Sequence, residues 1–205
     1  MRRFAFLACF ISVLSLGFNA ASANDKIGTT IKATGTTTAY RLNLIYAQRN
    51  TDPVFFGDEL KTGASSRLQV VFNDSTELYL GDHSTLTIDE LVYIPNQKGQ
   101  ALFSLSQGVF RMVSGAINKI AGSSFRVRTP LATIGVRGTD FWGHQTEDKL
   151  ILALLDDGEV EISTQEGDVT LSTPLSAIVI EKDKPLGQVF QLSQEQVDQA
   201  KQTVE

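Results

Sequence analysis

Apolar and polar residues alternate with a step of two through most of the chain. Leu68, Val70 and Phe72 alternate with polar neighbours, and Leu78 and Leu80 resume after Asn73-Asp74-Ser75. Leu86 and Ile88 resume again after Gly81-Asp82-His83-Ser84. A period of two between turn-forming residues predicts half-buried strands. The apolar pairs at 70/72, 78/80 and 86/88 recur every eight residues, so short strands should stack in succession on one core. A small β-roll and a meander both fit that step. Helical spacing is confined to the end. Ser193 can cap a helix, Gln196 stands at the reciprocal capping-box position, and Leu192 can staple onto Val197. Val197, Ala200 and Val204 then share one face, which predicts a short amphipathic helix over 193–205.

A longer repeat lies in the second half. "LSQGVFRMV" begins at Leu105 and "LDDGEVEI" at Leu155, both of the form Leu-x-x-Gly-x-apolar-x-apolar. Gly108 and Gly158 sit where a tight hairpin needs positive φ, and Asp157-Gly158 is a hairpin signal. Downstream of each comes a Thr-Pro-Leu segment, at Thr129 and at Thr173. Proline suits the first residue of a strand or an edge, not a central ladder. The reading is an all-β, single-domain fold of stacked short strands and hairpins, β-roll or β-sandwich-like. Residues 24–55 supply strands leading into a domain over 56–192, and the helix follows.

The first residues change the picture of where this domain works. Arg2 and Arg3 precede an uncharged, mostly apolar run from Phe4 to Phe18, and Ala21-Ser22-Ala23 is an A-x-A signal. That is the layout of a secretory signal peptide over 1–23, with cleavage after Ala23. The run is shorter than the roughly 20 residues a spanning helix needs, so no membrane span should remain after cleavage. An uncleaved anchor is the rival reading. Cys9 is the single cysteine, so the exported chain should have no disulfide, thiol nucleophile or thiolate-bound metal. The 18 basic residues include Arg2 and Arg3, which leaves 16 against 23 acidic ones and a net charge near −7. No basic cluster occurs, so nucleic acid and anionic membrane surfaces are not expected partners.

Candidate chemistry concentrates in "TPLATIGVRGTDFWG", Thr129–Gly143. Ala132, Ile134 and Val136 occupy even positions, but Phe141 is odd. A β-bulge at Gly138 would produce that slip of one. Arg137 and Asp140 then flank the kink and should pair, as a clasp that satisfies the backbone groups a bulge leaves open. The competing reading has both contacting a ligand. His83 and His144 are far apart in sequence and read as surface histidines. No H-E-x-x-H, G-x-S-x-G or Gly-rich phosphate loop occurs. The adjacent acids Asp58-Glu59, Asp89-Glu90 and Asp156-Asp157 would point to opposite faces of a strand and argue for turns. Calcium in an Asp-rich turn would need more ligands than "DDG" offers. Asn73-Asp74-Ser75 is read as turn chemistry. Trp142 either packs under the C-terminal helix or, turned outward, contacts a partner or a sugar. No catalytic residue, metal or cofactor is expected.

In order along the chain, "FFGDELKTGASSRLQVVFNDSTELYLGDHSTLTI", "FRVRTPLATIGVRGTDF" and "LLDDGEVEIST" resemble a FecR domain. The matching positions include Gly57, Asp58, Leu60, Thr62, Gly63, Ser66, Phe72, Asp74, Ser75, Ser84 and Leu86. They continue through Phe125, Val127, Thr129, Pro130, Ala132, Val136, Arg137, Gly138, Thr139 and Phe141. Asp140 stands where the family more often has glutamate. The resemblance implies an all-β domain in the bacterial periplasm. In familiar members it is the outer part of a membrane-spanning sigma-factor regulator that takes a signal from an iron-siderophore transporter. Here only Met1–Arg3 precede the apolar run, and the tail after Ile180 is short. Neither a cytoplasmic sigma-factor-binding region nor a transporter-docking subdomain is therefore expected. The resulting expectation is a non-enzymatic periplasmic binding and signalling module that recognises another cell-envelope protein. The alternatives are a sensor for a cell-wall glycan or small molecule and, further off, a hydrolase on a β-scaffold.

Overall fold

The computed structural model describes residues 25–205. The leader and its cleavage site at Ala23 lie outside them. In chain order the strands begin with β1 (Lys26–Thr34), β2 (Thr37–Arg41), β3 (Leu44–Ala47), β4 (Pro53–Phe55), β5 (Glu59–Thr62) and β6 (Arg67–Phe72). Next come β7 (Glu77–Leu80), β8 (Thr85–Val92) and the long β9 (Gln100–Val113), then a 3-10 turn at Ile117–Lys119. The second half holds β10 (Ser124–Arg128), β11 (Thr133–Arg137), β12 (Asp140–Gln145), β13 (Lys149–Leu154) and β14 (Glu159–Thr164). It ends with β15 (Gly167–Leu171), β16 (Ser176–Glu181), β17 (Phe190–Gln191) and the helix α1 (Gln194–Gln202). The fold is all-β with one short C-terminal helix.

The strands form two layers. One runs β4-β1-β6-β7-β9-β12-β13-β16-β17. The other runs β3-β2-β5-β8-β9-β10-β11-β14-β15. Every pairing is antiparallel except β9 with β10. Strand β9 belongs to both layers. Its first half, Gln100 to Gln107, pairs with β8 and β10, and its second half, Gly108 to Val113, pairs with β7 and β12. The alternation read from the sequence is what closes the core: Leu68, Val70, Phe72, Leu78, Leu80, Leu86 and Ile88 are all buried. Phe72 of one layer meets Phe103 of the other at 5.4 Å between ring centres. The eight-residue recurrence does not stack in one sheet, however. β6 and β7 are neighbours in the first layer, and the chain crosses at Gly81–Ser84 so that β8 lies in the second.

The glycines read as hairpin turns are corners. Gly108 lies inside β9, where that strand passes from one layer to the other. Gly158 joins β13 to β14, which do not pair with each other. Both have positive φ, +102° and +131°. A Cβ on Gly108 would collide with Ser84, and one on Gly158 with the Gly138 carbonyl. A hairpin and a layer crossing both ask for a small residue in an unusual conformation, which is why the sequence signal read as the commoner of the two. The result is one long hairpin, β11–β12 against β13–β14, folded across both layers at Gly138–Thr139 and Leu155–Gly158.

Helix α1 starts as its sequence predicts. Ser193 caps it, accepting from the Gln196 amide, while the Gln196 side chain accepts from the Ser193 amide at 2.8 Å. The helix ends at Gln202, short of the expected 205; its apolar residues Val197 and Ala200, with Val204 just past its end, cover the outer side of the first layer at Val109, Trp142, Ala153, Leu155 and Ala177.

Candidate functional site

The segment richest in sequence signals builds the frame. Arg137 lies on the outer side of β11, largely exposed, and its guanidinium reaches Glu161 at 2.7 Å. Asp140 opens β12 and is gripped by Arg111 of β9, from Nε at 2.9 Å and from Nη2 at 2.8 Å. The expected Arg137–Asp140 clasp is therefore not formed. Gly138 and Thr139 carry the chain from the second layer to the first, so the two side chains end up in different layers. The parity slip comes from this corner and not from a bulge within one ladder. Among the described strands, the register slips that do occur lie in β1, β8 and β9.

The remaining signature residues hold the corner together. The Thr139 amide donates to Ser114 Oγ at 2.9 Å. Thr129 Oγ1 accepts from the Ala132 and Leu131 amides at 3.0 and 3.3 Å, which closes the turn around Pro130. Phe141 is buried edge-on against Phe110. Gly138, at φ +61°, takes the turn.

Other signature polar residues cap strand ends elsewhere. Asp58 is fully buried; it accepts from Arg41 Nε and Nη2 at 2.5 and 2.7 Å and from the Phe55 amide at 2.9 Å. Asp74 accepts from Thr76 Oγ1 at 2.8 Å and from the Thr76 amide at 3.0 Å. Ser84 plugs the β9 corner: its hydroxyl is within 2.9 Å of both the Val109 amide and the Val109 carbonyl. Each supplies the partner that a backbone group needs once the chain leaves its ladder. Sequence reasoning missed Arg41 and Arg111 as the cations of these pairs. They lie 17 and 29 residues from their acids, a separation only the strand order closes.

Trp142 faces the outer side of the first layer, as parity predicts, but α1 lies on it. The ring is 9% exposed, and its N–H donates to Thr203 Oγ1 at 3.0 Å. The reading of Trp142 as an outward partner contact is corrected accordingly. Nearby, Arg111 also reaches Glu205 at 2.7 Å and lies over the Tyr79 ring. The Tyr79 hydroxyl donates to Glu77. Burial, and then this hydrogen bond, push its pKa up to about 12.

The two histidines, distant in sequence, line one open cleft of about 450 Å³ together with Arg67, Asp82, Gln107 and Thr203. Burial, assisted by Lys149, lowers the pKa of His144. Among the described residues no three His, Cys, Asp or Glu side chains are placed to hold a metal ion. Asp156 and Asp157 border a smaller hollow of about 220 Å³ with Asp140, whose carboxylate is already taken by Arg111.

Five of the ten large apolar side chains exposed among the described residues belong to the β2–β3 hairpin. Leu42, Leu44 and Ile45 are 64%, 58% and 73% exposed, and Tyr40 and Tyr46 are also exposed. No residue of β3 is buried on either face. Leu42 and Asn43 both have positive φ, +48° and +64°. Asparagine tolerates that conformation, but for a leucine it costs roughly 1–2 kcal/mol. The chain thus holds an apolar side chain in water at a position where its backbone is also strained. Single exposed apolar residues are ordinary; a contiguous set on one element marks an interaction site. Below the tip, Arg41 stacks on Phe55 at 3.8 Å and on Tyr46 at 5.1 Å while pairing with Asp58, so the hairpin has a fixed base.

Known proteins place this architecture. The family described as FecR protein matches residues 58–170. Two crystal structures of a candidate anti-sigma factor from Parabacteroides distasonis ATCC 8503, at 2.50 and 1.65 Å resolution, resemble the chain. Each superposes with a TM-score of 0.52 at 20% identity over 66% of this chain, which is a likeness of fold. The match spans 59% of the length of those structures. A search of curated proteins finds no significant match.

Proposed function

The chain belongs to the FecR family, and on that premise we propose that it is a non-enzymatic signalling module of the bacterial periplasm that recognises another cell-envelope protein. The observation that carries this reading is the β2–β3 hairpin, whose β3 exposes apolar side chains on both faces above a rigid base. The anti-sigma-factor assignment of the structural neighbours agrees with a signalling role. The glycan-sensor reading loses its main support, because the tryptophan that would stack on a sugar lies under α1. The hydrolase reading needs free acids converging in one cleft, and in the hollow bordered by Asp156 and Asp157 the Asp140 carboxylate is held by Arg111.

The test is a photo-crosslinking residue placed at Ile45 in cells, with a control at Asp168 on β15. A discrete adduct with one envelope protein from Ile45 only is the expected result. No adduct at Ile45, or the same adducts at both positions, overturns the reading.

A further inference from the structure

Among the described residues the two layers end in four strand edges: β4 and β17 in the first, β3 and β15 in the second. Proteins blunt such edges with short length, proline, charge or bulges, since an open edge pairs with other chains. β17 has two residues. β4 has three and starts with Pro53. β15 carries Asp168 and follows Glu166. β3 is four residues, Leu44-Ile45-Tyr46-Ala47, with no charge, proline or bulge. It is the one edge of the four that is left unguarded.

The register shows which groups are open. Positive φ at both Leu42 and Asn43 marks a two-residue turn of the I′ kind, closed by a hydrogen-bonded Arg41–Leu44 pair. Antiparallel ladders alternate, so Leu44 and Tyr46 turn their backbone groups toward β2. The Gln48 amide, on the Thr37 carbonyl at 2.8 Å, continues that alternation. Ile45 and Ala47 consequently present their N–H and C=O groups outward. Their side chains share one face of the strand, and Arg49 follows two residues past its end. The Arg49 guanidinium is exposed and makes no ion pair among the described residues; the Asp52 carboxylate beside it accepts from the Arg49 amide at 2.8 Å.

We infer that β3 accepts an extended segment of a partner protein as an added antiparallel strand, of the pattern acid-x-apolar-x-apolar. The two apolar residues face Ala47 and Ile45, and the acid, two residues earlier, meets Arg49. The four backbone groups of Ile45 and Ala47 carry the pairing, and the uncharged seam excludes charged residues from its centre. This inference rests on the hairpin being the recognition surface and specifies what that surface takes.

The probe is a synthetic peptide, acetyl-Asp-Thr-Val-Thr-Val-Thr-amide, titrated into the isotope-labelled exported protein. Hydrogen exchange at the Ile45 and Ala47 amides should slow about tenfold at saturation, with Leu44 and Tyr46 unchanged. Ile45→Pro removes one outward N–H and leaves the β2 ladder intact, since proline is accepted at such an edge position. It should abolish peptide binding, whereas Ile45→Thr, which keeps the N–H, should retain it. Arg49→Gln should weaken binding several-fold. Three results overturn the inference: no binding at millimolar peptide, binding that leaves those two amides unprotected, or a concentration-dependent dimer that protects them without peptide. A crosslinker at Leu44 separates this from the broader reading. If its envelope adduct persists in the Ile45→Pro protein, partner recognition stands and strand addition falls.

Discussion

The corner at Gly138–Thr139 and the hairpin tip at Leu42–Asn43 both use positive φ to redirect the chain. They otherwise differ in almost every respect. The corner lies inside the family match, and its signature residues are tied to the fold: Thr139 to Ser114, Asp140 to Arg111, Phe141 to Phe110. The hairpin lies before residue 58, outside that match, and its apolar side chains are turned to water. The matched residues thus include a way of bending strands between two layers, and the hairpin is mounted on that frame from outside the match. A motif dense in glycine, arginine and aspartate looks like a site, but here Arg137 pairs with Glu161, Asp140 with Arg111, and the Thr139 hydroxyl with backbone carbonyls at the crossing.

The sharpest way to break this contrast is to remove the cation of the corner. Arg111→Ala leaves Asp140 uncompensated at 13% exposure, and should cost roughly 3–5 kcal/mol in chemical denaturation. The fraction that stays folded should still crosslink through Ile45. Ser84→Ala comes next, because it strands the Val109 amide, while the Val109 carbonyl keeps the Gly81 amide, for a loss of about 1–3 kcal/mol by the same measurement. At the hairpin the expected sign reverses. Replacing Leu42-Asn43 by Asn-Gly supplies the residues this turn prefers and should stabilise the protein by about 1 kcal/mol while reducing partner capture. Leu44→Asp should change stability by no more than about 0.5 kcal/mol and abolish capture. If both hairpin variants destabilise the fold instead, the hairpin is part of the frame and the contrast dissolves.

The smallest effect is one of pH. His144 titrates below its ordinary value of 6.5 because burial disfavours the imidazolium. The unfolded chain then binds the proton more readily than the folded one. This contribution to stability is complete above the unfolded value and is lost as pH falls through the folded one. An NMR titration should place His144 below 6.5, and Lys149→Gln should move it back upward.

The strands and the helix were legible in the sequence because their periods are local. Leu68 to Ile88 show the alternation, and Ser193 with Gln196 spells out the capping box. Layer assignment was not legible, since one period describes a strand in either sheet, and so Gly108 and Gly158 read as turns. The partner of Asp140 was hidden for a related reason: β9 and β12 become neighbours through long-range order, while Arg137 is merely near in sequence. Burial of Trp142 followed the plainer of its two readings. The hairpin left little trace, because the Leu42-Asn43 turn lacks the glycine that normally announces one.

Strand β9 has a consequence for how the molecule comes apart. Its fourteen residues are the common spine of both sheets, with neighbours on either side along most of its length. Neither layer can peel away and leave the other whole, since each would have to surrender the same strand. Melting should therefore proceed as a single concerted event, with fluorescence from Trp142 and far-ultraviolet dichroism falling together.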